Sequence, residues 1–201
     1  AAVGQAYGAV RGRDNDSPDP IVPPDGLLRQ IQGQAFTYLL VPQLADVMGP
    51  GYDDAMALHL PEQLLQLPHA FLLDEFAAKL YQKPAMTADE RCALYLSLEK
   101  RYLPDLDYAQ MPALTSGRAW QLESALWTDP FAAITPGLAA LTSLDFLGQI
   151  GRNPSSAWRR FEKLCAQGEK TPAASLLEET GFASPIDPDT VKKAVYVLCD
   201  S

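Results

Sequence analysis

The helical character of this chain is clearest in the segment Leu28-Arg29-Gln30-Ile31-Gln32-Gly33-Gln34-Ala35-Phe36. Asp25 followed by Gly26 can start a helix just before it, because Asp is a favoured N-cap residue. From Leu28 onward, apolar side chains recur at helical spacing and fall on one face, and these are Leu28, Ile31, Ala35, Tyr38 and Leu39. The sequence therefore predicts an amphipathic helix that carries Gln30 and Gln34 one turn apart.

Further apolar stripes at helical spacing follow along the chain. Pro61 suits the first turn of a second helix, which continues to Leu80 and which Pro68 should kink or divide. Thr87 and Glu90 have the spacing of a capping box, so another helix should start there and end close to residue 104. Shorter helices are predicted over 119–126, 136–151, 154–168, 171–180 and 187–199. Since no stretch shows sustained alternation, the predicted fold class is all-α, an irregular array of many helices.

Composition limits the classes of function. The chain has 201 residues, of which 47% are hydrophobic and 20% charged, which is enough for one sizeable core. Its net charge is −9, and its Lys and Arg residues are scattered, so direct binding of nucleic acid is not expected. The three cysteines, Cys92, Cys165 and Cys199, lie far apart, which fits neither a disulfide framework nor a structural zinc site.

Residues 1–24 differ from the rest of the chain. They are rich in Gly and Pro and show no sustained apolar period, so an extended arm is predicted there, followed by a helical domain over 25–201. The most apolar run, 138–150, is shorter than the roughly 20 residues of a membrane-spanning helix, so no transmembrane helix is expected. The first residue is Ala, which is compatible with removal of a targeting segment and equally with a trimmed chain.

Two motifs carry a family resemblance. The frame of residues 28–36 is that of a helix with a His-Glu-x-x-His metal site, but Gln30, Ile31 and Gln34 stand where the first ligand, general base and second ligand would be. Further on, Leu58-His59-Leu60-Pro61-Glu62-Gln63-Leu64-Leu65-Gln66 is similar to the second motif of the thimet oligopeptidase and mitochondrial intermediate peptidase family of zinc peptidases. His59 stands where that family has its third ligand, a Glu, and the spacing from Gln34 matches without an insertion.

The resemblance continues through the segments 75–82, 118–122 and 158–164, and covers about residues 27 to 200. It implies a fold like the C-terminal half of a zincin-like oligopeptidase. The enzymes of that family are much longer than this chain. An unrelated helical domain is the alternative reading of the same patterns.

The chain departs from that family at the residues that carry the chemistry. A zinc hydrolase needs three ligands and a base, whereas Gln amides are poor zinc ligands and Ile cannot accept a proton. Leu126 and Asp129-Pro130 stand where the family has a substrate-binding His and a Gly-Tyr pair, and Ile134 and Thr135 stand at tyrosine positions. We therefore expect no catalytic residues, no metal, no cofactor and no enzyme activity. A rebuilt metal site is disfavoured; its candidates would be His59, His69, Asp74 and Glu75.

The resemblance implies a function without catalysis. The leading hypothesis is a structural or accessory subunit of a larger mitochondrial assembly, a respiratory complex or the ATP synthase. It would lie on the matrix side or be associated with the inner membrane through other protein subunits. The alternative is a peptide- or presequence-binding module that keeps the cleft, with Glu62, Asp74 and Glu75 holding basic peptides. An active peptidase with a relocated metal is the third hypothesis.

Overall fold

A computed structural model describes residues 1–15, 25–108, 111–168 and 171–199, apart from the side chains of 60–65 and 197–199. Its α-helices are α1 (Ala2–Gly12), α2 (Gly26–Met48), α3 (Tyr52–Gln82), α4 (Ala88–Tyr102), α5 (Ala125–Thr128), α6 (Ile134–Arg152), α7 (Pro154–Ala166), α8 (Ala173–Thr180) and α9 (Pro188–Cys199). Short 3₁₀ turns occupy Gly49–Gly51 and Ala119–Leu122, and a π-helical turn occupies Leu114–Arg118. The described ranges contain no strand, and the all-α prediction is confirmed.

Local sequence signals set several helix ends. The side chain of Asp25 accepts a hydrogen bond from the Leu28 backbone N–H at 3.0 Å and caps α2. Thr87 and Glu90 form the predicted capping box at the start of α4. Gly181 follows α8 in the left-handed region, with φ of 78°, where a residue with a Cβ would be strained. These ends agree with the sequence prediction because each depends on neighbours within one helical turn.

The chain folds into two compact units. Unit 1 consists of Ala1–Glu62 and Leu138–Ser201, and unit 2 consists of Gln63–Gly137. The boundaries fall within α3 and α6. The sequence-based division at residue 24 differs from this one, since the N-terminal residues belong to the same unit as α2 and α7.

The extended arm predicted for residues 1–24 is wrong for residues 2–12, which form α1. Gly4, Gly8 and Gly12 recur every fourth residue, so they lie on one face of this helix, and all three are buried. An added Cβ at Gly4 would lie 2.6 Å from the Gln32 carbonyl oxygen, so only glycine permits this approach to α2. The glycines that suggested an arm therefore allow close helix packing. Residues 16–24 of the predicted arm lie outside the described residues.

Unit 1 has an aromatic centre formed by three helices. Tyr7 on α1, Phe36 on α2, and Trp158 and Phe161 on α7 place their ring centroids 5.8 to 6.0 Å apart in the contacting pairs. Phe161 is fully buried. Since aromatic rings contribute large buried areas and favour such offset contacts, this cluster fixes α1, α2 and α7 against one another.

Unit 2 is centred on Phe76 of α3. The Phe76 ring contacts Tyr95 of α4 at 5.1 Å in a T-shaped arrangement, and Trp120 at 5.8 Å. Leu72, Leu73, Leu98 and Ala119 complete this buried cluster. The π-helical turn reaches α4 at Gly117, which has φ of 77° and would bring an added Cβ against the backbone of Cys92.

Helix α3 differs from its prediction in where it starts and in its continuity through Pro68. It begins at Tyr52 rather than near Pro61, and it runs unbroken through Pro68 to Gln82. A proline removes one backbone hydrogen bond, but the following residues Ala70, Leu72, Leu73 and Phe76 are buried and hold the helix in place. Although α3 has 31 residues, no helix in the described part of the chain is long and apolar enough to cross a membrane.

Candidate functional site

Helix α2 carries the positions that the sequence analysis compared with a metal site. Gln30 and Gln34 are four residues apart, so they share one face, and both are half-buried. Ile31 is fully buried in the core of unit 1. The helix therefore presents two amide side chains on the face where an i, i+4 ligand pair would lie, while the residue between them is a packing residue.

The amide oxygen of Gln34 is buried, and it has no hydrogen-bond partner among the described residues. A buried acceptor without a donor costs about 1–3 kcal/mol. Pairing this oxygen with an N–H group would therefore recover free energy.

His59 of α3 lies close to α2. Its ring centroid is 6.4 Å from that of Tyr38, which is one turn beyond Gln34 on the same helix. Tyr38 is 2% exposed, and burial raises its pKa to about 12, so this tyrosine stays neutral at physiological pH. The structure thus brings His59, Tyr38 and the glutamine-bearing face into one region of unit 1.

These residues do not fit a catalytic zinc ion. Zinc in peptidases takes nitrogen and oxygen ligands from His, Asp and Glu, and neutral amides bind it poorly. Ile31 cannot accept a proton from a bound water. Among the side chains that the structure describes, no three His, Cys, Asp or Glu residues are grouped as a metal site would require.

The remaining degenerate positions lie in unit 2. Leu126 is on α5 and packs against the Phe76 cluster, and Pro130 follows in the turn after that helix, half-buried. Ile134 and Thr135 start α6 and are half-buried. Leu126 therefore serves the core of its unit.

Two candidates of the disfavoured metal site, Glu75 and His69, pair with other residues. Glu75 accepts hydrogen bonds from the Tyr102 hydroxyl at 2.7 Å and lies 2.6 Å from the Lys79 ammonium group. These hydrogen bonds, with the Arg101 charge nearby, lower the pKa of Glu75. His69 Nε2 lies 3.0 Å from Glu123 Oε1 instead of facing a carboxylate on its own helix. The side chain of Glu62, one of the acidic residues considered for peptide binding, lies outside the described ones.

Unit 2 contains a polar cluster that the sequence analysis missed. The Tyr108 hydroxyl donates a hydrogen bond to Glu99, which is 5% exposed. Burial is the larger cause that raises the pKa of Tyr108, and this hydrogen bond raises it further. Burial also raises the pKa of Tyr95, and the charges of Glu123 and Glu99 raise it further. A signal was available on α4, because Glu99 lies one turn after Tyr95 on the apolar face.

Comparisons with known proteins give only structural likenesses. No protein-family model matches the chain, and no curated protein matches it. PZ peptidase A, solved with an inhibitor, superposes with a TM-score of 0.87 and 26% identity over 97% of this chain and 34% of its own. An oligoendopeptidase F superposes with a TM-score of 0.88 and 29% identity over 98% of this chain and 35% of its own. A third structure, an oligoendopeptidase F from Bacillus anthracis, has a TM-score of 0.74 and 23% identity over 98% and 31%.

These likenesses correct one prediction. We expected no enzyme, but the proteins whose structures match over nearly all of this chain are peptidases, which points towards an enzyme. The misfit of Gln30, Ile31 and Gln34 argues against one metal chemistry at these three positions and does not extend to the protein as a whole. The chain spans about a third of the length of the solved structures that it matches. It has the helical fold found in PZ peptidase A and oligoendopeptidase F.

Proposed function

We propose that this chain binds and orients peptides as part of an oligopeptidase-like protein. The observation that supports this most is the likeness to PZ peptidase A and oligoendopeptidase F over 97% and 98% of the chain. The mitochondrial intermediate peptidase branch and the loss of the metal site remain predictions from the sequence.

The glutamine-bearing face of α2 is suited to a peptide backbone. An extended peptide carries backbone N–H groups that need acceptors, and the Gln34 oxygen is a buried acceptor without a donor among the described residues. Gln30 shares its face, and an amide side chain offers both a donor and an acceptor. Binding a peptide there would remove the cost of the unpaired oxygen, and this favours a peptide over an apolar ligand.

The proposal assigns binding and orientation to these side chains. Because the residues at positions 30, 31 and 34 do not fit zinc, no bond-breaking step is derived from them. A side chain that fixes the peptide backbone contributes to a reaction by holding the substrate in one orientation.

Peptide binding by single-residue variants tests the proposal. We expect fluorescently labelled, unstructured peptides to bind the wild-type chain, and Gln34→Ala to weaken binding by about 2–10-fold, the value of one neutral hydrogen bond. Gln66→Ala is the control, since Gln66 is an exposed glutamine on α3. Binding that is absent in the wild type, or equal in Gln34→Ala and wild type, would overturn the proposal. Mass spectrometry of the same mixtures records any cleavage.

Introducing histidines at positions 30 and 34 tests whether these two positions face a common point. We expect the double substitution Gln30→His with Gln34→His to bind zinc more than about tenfold tighter than Gln30→His alone, because two imidazoles one turn apart can chelate one ion. Zinc titration monitored by calorimetry measures both. Equal affinities would mean that the two positions do not face a common point.

We further propose that the protein works within a larger assembly with other protein subunits. Large apolar side chains are exposed in both units, including Val47 and Leu58 in unit 1 and Leu122 and Trp127 in unit 2. The sequence resemblance suggests that this assembly is mitochondrial, such as a respiratory complex or the ATP synthase. Gentle extraction followed by native mass spectrometry tests it, and migration of the chain as a free monomer would contradict it.

A further inference from the structure

A small polar cavity lies where α6 ends and α7 begins. It has a volume of about 200 Å³ and is lined by Gln149, Arg152, Asn153, Ser156, Ala157 and Arg160. All of these residues belong to unit 1. No carboxylate is among these lining residues, although the chain as a whole carries a net charge of −9. The two guanidinium groups therefore make this a local positive site on an acidic protein.

Both arginines are held in place by hydrogen bonds that leave other N–H groups available. Arg160 donates from one terminal nitrogen to Gln149 Oε1 at 2.5 Å and to the Gly181 carbonyl at 3.4 Å. Arg152 donates from Nε to the Gly148 carbonyl at 3.0 Å. A guanidinium group has five N–H donors, so these bonds use only part of each fork. Arginines fixed in this way lose less side-chain entropy when they bind an anion.

Gln149 is oriented by a neighbour outside the cavity. Its Nε2 donates to Asp145 Oδ2 at 2.7 Å, which turns the amide oxygen towards Arg160. Asp145 is 6% exposed, so its carboxylate is buried and serves this bond. The acid that could have paired with the arginines is thus separated from Arg160 by the Gln149 amide.

The start of α7 adds a further favourable field. Asn153 Oδ1 accepts a hydrogen bond from the Ser156 backbone N–H at 3.0 Å, so the helix is capped at the cavity wall. α7 has 13 residues, and the N-terminus of such a helix carries a partial positive charge. Ser156 also brings a hydroxyl group to the lining. Two forked cations and a hydroxyl donor, with the partial positive charge of the helix N-terminus behind them, match an oxyanion with several acceptor oxygens.

We propose that this cavity binds a phosphate group, as free phosphate or as the phosphoryl group of a small ester. The cavity volume leaves room for the group and part of what carries it. The site does not depend on the peptide-binding proposal, because none of its residues lies on α2. Binding weakens with rising salt, since it rests on charge.

Titration of the full chain with inorganic phosphate at constant ionic strength tests the proposal, with phosphoserine and acetate as comparison ligands. We expect Arg152→Gln and Arg160→Gln each to weaken phosphate binding by on the order of tenfold, the value of a charge-assisted hydrogen bond. Arg159→Gln is the control, because Arg159 is an exposed arginine on α7 that lines a different cavity. We expect it to change the affinity less than about twofold, as for screened surface charge.

Three results would overturn the site. Phosphate could fail to bind the wild type, acetate could bind as tightly as phosphate, or Arg159→Gln could weaken binding as much as the two lining substitutions. Arg160 also contacts the end of α8 through Gly181, so Arg160→Gln is accompanied by a thermal melt. If that variant unfolds, Arg152→Gln decides the result alone, because the bond from Arg152 to the Gly148 carbonyl lies within α6. Tighter binding of phosphoserine than of free phosphate would identify the ester as the ligand.

Discussion

Unit 1 and unit 2 surround their central phenylalanines with different chemistry. In unit 1 the Phe161 ring lies 5.8 Å from both Tyr7 and Phe36, so side chains from three helices meet as aromatic surfaces. In unit 2 the Phe76 ring contacts Tyr95, whose pKa the nearby Glu99 and Glu123 help to raise. The centre of unit 1 therefore depends mainly on shape, whereas the centre of unit 2 also depends on how its acidic groups are paired.

Removal of the central rings should destabilise each unit most. We expect Phe161→Ala and Phe76→Ala each to lower the free energy of unfolding by about 3–5 kcal/mol, because a fully buried ring is replaced by a cavity. Hydrogen exchange followed by mass spectrometry should show faster exchange in α1, α2 and α7 for Phe161→Ala. For Phe76→Ala the increase should appear first in α4 and the 114–122 turns.

Leu58→Ala is the control for both variants, since Leu58 is 75% exposed and its loss should change stability little. The division into two units fails if both core variants accelerate exchange equally in both sets of helices.

A smaller loss should follow from adding one carbon atom to α1. Gly4→Ala would force α1 away from the Gln32 carbonyl and the Phe36 side chain, and we expect a cost of about 1–3 kcal/mol. Gly151→Ala on α6 is the matched control, because nothing lies within 4 Å of its added Cβ and alanine favours the helix. Urea unfolding followed by tryptophan fluorescence, to which Trp158 of unit 1 contributes together with Trp120 and Trp127, measures both. Equal midpoints for the two variants would mean that α1 does not need its close approach.

The parts of the fold that the sequence predicted are those set by neighbours in the chain. The α2 helix follows from its apolar spacing, and the start of α4 follows from Thr87 and Glu90. The helix α1 was missed because its glycines are unfavourable for an isolated helix and become favourable only against α2. Its formation depends on tertiary contact, which a local pattern does not record.

The candidate site divides in the same way. That Gln30 and Gln34 share a face follows from their spacing, whereas the unpaired oxygen of Gln34 depends on everything packed around it. The pairing of His69 with Glu123 joins residues 54 positions apart, and no spacing rule predicts it. Absence of enzyme activity was inferred from the residues that stand at the family's metal and substrate-binding positions, and this was too strong an inference because those residues bear on one mechanism only.

The smallest expected effect is a pH dependence of unit 2 that comes from His69. The hydrogen bond to Glu123 raises the pKa of His69 above the ordinary value for histidine, burial opposes the rise, and the charges of Glu123 and Glu99 support it. A pKa that is higher in the folded state means that protonated His69 stabilises the fold. This contribution is fully present below about pH 6.5, and it is lost as pH rises through the folded-state pKa.

We expect the contribution to be less than about 1 kcal/mol, because the His69 side chain is 40% exposed and solvent screens the pair. Urea unfolding of the wild type and of the matched variant His69→Gln, from about pH 5 to about pH 9, covers the range in which histidine titrates and measures this contribution. The difference in stability between the two proteins should shrink as pH rises. Glu123→Gln should remove the same difference, since it takes away the partner that raises the pKa. A pH-independent difference would show that His69 contributes by packing alone, and unit 2 would then resemble unit 1 in depending on shape.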